Sequence, residues 1–409
     1  FREHQVQLID KVKINEKSVL ETFQEEIPSI YFSDKTEKEY KKFKENFEYM
    51  YRYLFKFPPD MFRDKNLIDF GAGTGEGTVC YANWGAKCTL VEMNNLAQKI
   101  SKNIFQKYTD NFNQHRFIHS SIFDYESPET QETYDIVHCR GVLSHTADKK
   151  GAFSKISNFL KPGGYLIFGD PNKAGGFQNM LQRFVIYSFA STPDEMVDVS
   201  EQLFKEDIDR AQQFGKRTRR CIIFDRWVVQ SQDDPSIKEV LEWFEENNLQ
   251  FYSSYPPFVP SFISDSTLHF PKFSVGSFKD IGVLTEALWM IHNKDDNTEI
   301  PKMLKSLRDL SPNQSALVEY VANCNKNTVV KSDIMKNNIS NYIKALEKID
   351  LTSYLENRIK LLLNEVRDLI SHIEEKDFEN VKKFVHQAKH LFRGATGVRH
   401  VDFIGHKKY

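Results

Sequence analysis

What this sequence lacks excludes several classes of protein. Its five cysteines include no Cys-x-x-Cys pair, so neither a disulfide scaffold nor a thiolate zinc site is expected, and a reducing cytoplasm suits the chain. No run of about 18 apolar residues occurs, which predicts no transmembrane helix. The 55 Lys and Arg residues nearly balance the 57 Asp and Glu residues, with a formal net charge of −2. The overall charge therefore does not favour a nucleic acid or an acidic membrane surface as partner.

What the sequence does have is a glycine-rich turn after a short apolar run. Residues 66–70 are predicted to form a buried strand, and a helix-compatible segment follows Gly71, Gly73 and Gly75. Glycine lets the backbone approach a ligand closely, and the first N–H groups of a helix can meet a polar or anionic group. A nucleotide-like ligand is therefore expected. The dinucleotide fingerprint would need glycine at the position of Glu76, and a phosphate-binding loop would need a Lys that is absent here.

Strand and helix patterns alternate from residue 66 to residue 171, which is typical of a parallel sheet with crossover helices. Glu92 follows the second strand, where a carboxylate can bind both hydroxyls of a ribose; the alternative is a solvated strand end. The predicted strands are 66–70, 87–91, 116–119, 134–139, 165–168, 249–255 and, at the far end of the chain, 398–406.

Four landmarks in this region resemble those of class I S-adenosylmethionine (SAM) methyltransferases. They are the motif Asp69-x-Gly71-x-Gly73-x-Gly75, the acidic Glu92, the segment Val142-Leu143-Ser144-His145 after the fourth strand, and Leu160-Lys161-Pro162-Gly163-Gly164 before the fifth. The resemblance implies an α/β fold: a doubly wound, mostly parallel Rossmann-like sheet with a final antiparallel strand. A large, mainly helical insertion is predicted before that last strand.

The resemblance also implies which residues would bind SAM. Glu92 would bind the ribose and Met93 would lie against the adenine. Many family members carry Asp where this chain has Ser121, so the adenine contact is left open between Ser121 and Asp124. The full implied set is Asp69, Gly71, Ala72, Gly73, Thr74, Gly75, Glu92, Met93, Ser121, Ile122, Cys139, Arg140 and Gly141. No metal is expected: His386 and His390 have an i, i+4 spacing but lack the Glu of His-Glu-x-x-His.

Candidate catalytic and acceptor-binding residues follow the strand ends. His145 lies just past the fourth strand and is a candidate general base, or it only orders its loop. Asp170 is a second candidate, with a loop-capping role as the alternative, and Asp225 is a third. Asn172, Arg217 and Arg220, together with His145, are candidate substrate-binding residues; the alternative for the basic cluster at 216–220 is a solvated surface.

The predicted domain organisation places this core among additions. Residues 1–63 are predicted to form a helical cap, 64–171 the SAM-binding core, and 172–233 a lid or substrate segment, with an apolar helix at 177–189 and irregular structure over 191–233. Residues 234–256 return to the core, 257–396 form the helical insertion, and 397–409 supply the last strand. Apolar stripes in the insertion suggest core faces or a homodimer interface.

The predicted function is methyl transfer from SAM to an O, N, S or C nucleophile of a small molecule. A nucleic-acid or protein methyltransferase is one alternative; the Asn/Asp-Pro-Pro-aromatic motif of adenine-N6 enzymes is absent after the fourth strand, where Arg140-Gly141-Val142-Leu143 stands. The other alternative is a SAM-binding regulatory or interaction subunit without turnover. A cytoplasmic location is expected.

Overall fold

The computed structural model describes residues 2–27, 36–126, 134–215, 217–258, 282–283, 285–287, 289–290, 310–324, 331–347, 353–392 and 400–409. Its centre is one seven-stranded sheet in the order β3-β2-β1-β4-β5-β7-β6. β7 runs antiparallel between β5 and β6, whereas the neighbours from β3 to β5 pair in parallel. The strands are β1 (Asn66–Phe70), β2 (Lys87–Glu92), β3 (Arg116–His119), β4 (Tyr134–Arg140), β5 (Leu160–Pro171), β6 (Leu249–Tyr255) and β7 (His400–Lys407).

The predicted fold class is thereby confirmed: the sheet is doubly wound and mostly parallel, with a final antiparallel strand. The connections reverse direction between β1 and β4, which are adjacent in the sheet. In open α/β sheets, ligands bind outside the carboxyl ends of the strands at such a switch point. The fold therefore directs attention to the loops after β1 and β4.

Helices surround the sheet and continue beyond it. Those described are α1 (Arg2–Glu25), α2 (Glu37–Tyr49), α3 (Thr78–Asn83), α4 (Asn95–Tyr108), α5 (Lys149–Ser157), α6 (Phe177–Phe189), α7 (Pro193–Gly215), α8 (Arg219–Ile223), α9 (Ile237–Glu246), α10 (Leu310–Ala322), α11 (Ser332–Leu346), α12 (Ser353–Glu374) and α13 (Phe378–Gln387). Within these described segments no helix is long and apolar enough to cross a membrane.

Alternation along each strand divides the core between the two faces of the sheet. Leu67 and Ile136 belong to a buried cluster with the apolar residues of α2, α3 and α4. Their neighbours Ile68 and Val137 belong to a second cluster with α5 and α9. Burial on both faces explains why these strands are nearly continuous apolar runs.

The prediction that residues 191–233 are irregular was wrong. They form α7, α8 and a further helical turn at Phe224–Val228. Most of the charged side chains are exposed or half-buried, whereas Met196, Leu203 and Ile208 are buried. Phe204, with φ of −126°, marks a kink in α7.

The helical insertion packs on the rest of the chain through its apolar stripes. Buried residues of α10 to α13 form one cluster with α6 and α7. α11 and α12 correspond to the predicted helices at 339–349 and 355–373, while α10 and α13 were not predicted. The predicted helix at 284–290 and the aromatic opening at 258–278 lie largely outside the described residues. Because the stripes are buried within the chain, they no longer support a homodimer, which stays a prediction, as do the domain limits.

Candidate functional site

The turn after β1 is fixed by the neighbouring strand. The N–H groups of Gly71 and Ala72 both donate to the carbonyl of Val91, at 2.8 and 3.2 Å. At Gly73, where φ is +54°, nothing lies within 4 Å of the position a Cβ would take. At Gly75 a Cβ would lie 2.9 Å from a side chain of α4. Gly73 therefore opens on empty space, while Gly75 permits close packing.

Glu92 is attached to this turn by its own carboxylate. Oε2 accepts the N–H of Gly73 and Oε1 accepts the N–H of Asn94, both at 2.7 Å. Burial raises the pKa of the Glu92 carboxyl, and the two backbone donors oppose that rise. Each oxygen retains a further lone pair that can accept a hydrogen bond from a ligand.

Two cavities open at this edge of the sheet. The first has an empty volume of about 970 Å³, including the part open to solvent, and the second about 1660 Å³. Gly71, Gly73, Arg140, Gly141 and His145 line both of them. The two cavities therefore meet at the loops after β1 and β4.

The first cavity contains most of the residues that the sequence assigned to a cofactor. Its lining includes Gly71, Gly73, Thr74, Glu92, Met93, Ser121, Ile122, Arg140 and Gly141. Ser121 is part of this wall, whereas Asp124 is not, and the carboxylate of Asp124 pairs with Lys13 at 2.6 Å. Asp69 and Ala72 line the second cavity, and Gly75 and Cys139 are in the lining of neither.

His145 lies at the junction of the two cavities. Its Nδ1 donates to the carbonyl of Ser231 at 2.8 Å, and its ring meets that of Phe23 edge to face at 5.4 Å. Burial lowers the pKa of His145, and the Ser231 carbonyl partly opposes this effect. With Nδ1 carrying the proton of the neutral ring, Nε2 is left as the nitrogen that can accept one.

Asp69 heads a buried chain of hydrogen bonds on the wall of the second cavity. It accepts a hydrogen bond from the hydroxyl of Thr78, and its Oδ1 lies 2.7 Å from Nδ1 of His138. The opposite nitrogen of His138 lies 3.0 Å from the hydroxyl of Tyr81. The Asp69 carboxylate is thus hydrogen-bonded to residues of β4 and α3, and through them it helps to order the glycine-rich turn.

Besides Gly75, four of the predicted site residues are outside the lining of both cavities. Asp170 is buried below the His145 loop, where Oδ2 accepts the N–H of Ser144 at 3.1 Å. Asn172 is buried too: Nδ2 donates to Glu286 at 2.6 Å and Oδ1 accepts the N–H groups of a turn. Arg220 pairs with Glu25 and Asp194. Cys139 is buried in β4.

Arg217 and Asp225 do line the second cavity, and they pair with each other at 2.9 Å. Sequence reasoning missed several other residues of the two walls. The first cavity is lined by Asn15, Glu16, Val19, Leu20 and Phe23 of α1 and by Ile27 after it, and Gln232 and His400 line the second. Residues 1–63 were predicted to form a helical cap, but no local pattern indicated which of their side chains would line a cavity. Within the described residues no cluster of three His, Cys, Asp or Glu could hold a metal ion.

Residues 43–203 match the family model of a methyltransferase domain. This segment holds β1 to β5 and both loops where the cavities meet. The match identifies residues 43–203 as similar to a methyltransferase domain, and these residues include the five strands β1 to β5 of the sheet.

Two curated relatives share part of this segment. The mitochondrial ubiquinone biosynthesis O-methyltransferase of Schizosaccharomyces pombe is 23% identical over 158 residues, which cover 37% of this chain and 55% of the relative. The dimethylglycine N-methyltransferase of Parasynechococcus marenigrum is 25% identical over 130 residues, which cover 31% and 46%. The chain thus spans about half the length of the curated relatives it matches.

Among solved structures, a magnesium protoporphyrin IX methyltransferase from Synechocystis PCC 6803 with bound S-adenosylhomocysteine is similar. It is 13% identical, with a TM-score of 0.30, and the likeness covers 47% of this chain and 67% of that one. The fold assignment rests on the strand order and not on this score.

Proposed function

We propose that the protein transfers a methyl group from SAM to an O, N, S or C nucleophile of a small molecule. The observation that carries this proposal is the meeting of two cavities at Gly71, Gly73, Gly141 and His145. One cavity holds a fixed carboxylate among apolar groups, and the other holds ionisable side chains. Such a pair can place a cofactor and an acceptor end to end across one junction.

The first cavity has the groups that SAM requires. The Glu92 carboxylate would accept hydrogen bonds from the ribose hydroxyls, and Met93 and Ile122 would lie against the adenine. Gly73 and Gly141 have positive φ and no atoms within 4 Å of a would-be Cβ, so backbone and ligand can approach closely there. Ser121, not Asp124, would meet the adenine edge.

The chemistry asked of the protein is modest. SAM supplies a methyl group already activated on a sulfonium, so the chain must align the nucleophile and exclude water. A hydroxyl or ammonium nucleophile must also lose a proton, and Nε2 of His145 would accept it. Asp225 stands on the wall of the same cavity, with Arg217 as its partner.

Calorimetric titration of the full chain with SAM, with NAD as the control ligand, tests the proposal. We expect micromolar SAM affinity and no NAD binding. Glu92→Ala should weaken SAM binding at least tenfold, or about 1.4 kcal/mol, whereas Glu45→Ala, on the exposed face of α2, should not. Well-folded protein that fails to bind SAM would refute the cofactor assignment.

Turnover distinguishes the remaining alternatives. Radiolabelled methyl transfer would be measured on pools of small metabolites, on RNA and DNA, and on protein extracts. Labelled product found only in the small-molecule pools supports the proposal. Labelled product found only on a macromolecule indicates a nucleic-acid or protein methyltransferase instead. SAM binding without any transfer favours a regulatory or interaction subunit.

A further inference from the structure

Arg183 is a fully buried guanidinium with few partners. It lies on α6, where Nη2 donates to the carbonyl of Gln230 and the guanidinium stacks on the ring of Tyr187 at 5.1 Å. Nε and Nη1 have no hydrogen-bond partner among the residues that the structure describes. The cation therefore interacts with one carbonyl oxygen and with the ring and hydroxyl of Tyr187, but no carboxylate of the described residues is bonded to it.

Other buried polar atoms around α6 are also without partners. They are Nδ2 of Asn179, Oε1 of Gln182, Nε1 of Trp227 and Oε1 of Gln232, again within the described residues. Gln232 is a wall residue of the second cavity. The charge of Arg183 also reaches His145, where it contributes, less than burial does, to the lowered pKa of that ring. A polar region thus lies between α6, the 227–232 segment and the cavity junction.

Unmatched buried polar groups are rare in native proteins, and each requires an explanation. A buried cation is especially costly, because it has lost its hydration without gaining an anion. Arginine is also the side chain best suited to carboxylate and phosphate groups. A partner that is not part of the chain would account for the unused donors of Arg183.

We propose that Arg183 binds an anionic group of the methyl acceptor, a carboxylate or a phosphate, reached through the Gln232 wall of the second cavity. The inference rests on the proposed function only in calling the ligand the acceptor. It replaces the basic cluster predicted from sequence: Arg220 is engaged by Glu25 and Asp194, and Arg217 by Asp225.

Thermal unfolding of the full chain in acetate or in inorganic phosphate, at matched ionic strength, tests this. For the wild type we expect at least one anion to raise Tm by about 2 °C or more, and the more effective anion identifies the class. Arg183→Met should abolish that rise, and Arg183→Lys should keep part of it. Arg63→Met removes an exposed arginine and should leave the rise unchanged.

The free protein gives a second, independent readout. If Arg183 is unmatched without ligand, Arg183→Met should unfold at the same temperature as the wild type or higher in anion-free buffer. Three outcomes would each overturn the proposal. Arg183→Met could misfold or lose several degrees of Tm, it could retain the anion effect, or the wild type could be insensitive to both anions. SAM titration of Arg183→Met should match the wild type; if neither protein binds SAM, the proposed function fails while the anion result stands separately.

Discussion

Arg140, the last residue of β4, forms a two-point ion pair with Asp402 of β7, 262 residues further along the chain. Nε lies 2.5 Å from Oδ1, and Nη2 lies 3.2 Å from Oδ2. His400 approaches the same carboxylate at 3.3 Å. Although burial opposes the charge, Arg140 and His400 hold the pKa of Asp402 well below its usual range. The last strand therefore fixes a side chain that lines both cavities.

Replacing Asp402 should loosen this wall. Asp402→Asn preserves the shape of the side chain but removes the anion that pairs with Arg140. Because the Arg140 side chain is one-third exposed, we expect the free energy of unfolding to fall by about 2 kcal/mol, between the values for surface and buried ion pairs. SAM affinity should fall as well. Urea denaturation and calorimetry measure the two effects, with the exposed Asp60→Asn as the control.

The same pair has a defined pH dependence. Because the pKa of Asp402 is depressed in the folded state, its stabilisation is present above the ordinary Asp pKa, about 4, and is lost as the pH falls further. The advantage of the wild type over Asp402→Asn should therefore shrink progressively as the pH falls from about 4 toward the depressed pKa of the folded state. An advantage that does not shrink at all as the pH is lowered below about 4 would contradict this account.

Gly73 and Gly75 should respond differently to alanine. Both have positive φ, which costs a non-glycine residue roughly 1–2 kcal/mol, but only Gly75 would also clash, at 2.9 Å from a side chain of α4. Gly73→Ala should weaken SAM binding with a modest loss of stability, because its methyl group enters the cavities. Gly75→Ala should mainly lower Tm. Paired calorimetry and thermal unfolding test this; equal losses of affinity and of Tm would refute the distinction.

The elements of this fold that could be predicted are those that have a local pattern in the sequence. β1, β2 and β4 are apolar runs punctuated by glycine or by an acidic residue, and both faces of these strands are buried. β7 was predicted from a single run of strand-like residues, and in the structure it lies inside the sheet, between β5 and β6. α7 was not predicted, because its many charged residues obscured the apolar residues that are buried in the tertiary structure.

The site was predictable to a similar degree. Gly73 and Glu92 belong to two short local motifs, each at the end of a predicted strand, and the structure brings the Gly73 N–H within 2.7 Å of the Glu92 carboxylate. Phe23 reaches His145 from a helix more than a hundred residues earlier, and no local pattern signals such a contact. Arg183 stands in a helix that reads as apolar, so its burial without a matching anion became apparent only once α6 was placed in the fold.

Asp170 should influence stability in a pH-dependent way without taking part in methyl transfer. Burial raises its pKa to about 8, against the hydrogen bonds from Ser144 that favour the charged form. A carboxyl whose folded pKa is raised favours folding when protonated, so its presence destabilises the protein progressively as pH rises from about 4 toward 8. Asp170→Asn should gain Tm relative to the wild type over that interval and keep its transfer rate. A hundredfold slower Asp170→Asn would restore the catalytic assignment.

Two measurements, an NMR titration and a turnover assay, test the role of His145. Because burial lowers its pKa, an NMR titration should find the protonation midpoint of His145 below the ordinary His value of about 6.5. Below that pH the unfolded chain binds the proton first, so this group lowers stability as the pH falls. For an acceptor that must be deprotonated, His145→Gln should reduce kcat by about 100-fold or more while SAM affinity changes little, since Gln can still donate to Ser231.

A second histidine provides the matched control for that experiment. His115 is half-buried, also has a pKa lowered by burial, and lies outside the lining of both cavities. His115→Gln should leave kcat unchanged, so a loss specific to His145→Gln reports a role at the cavity junction and not a general effect of removing a histidine. If His145→Gln keeps the full rate with an acceptor that carries a proton to lose, then His145 only orders its loop, and the base must be sought on the second cavity at Asp225.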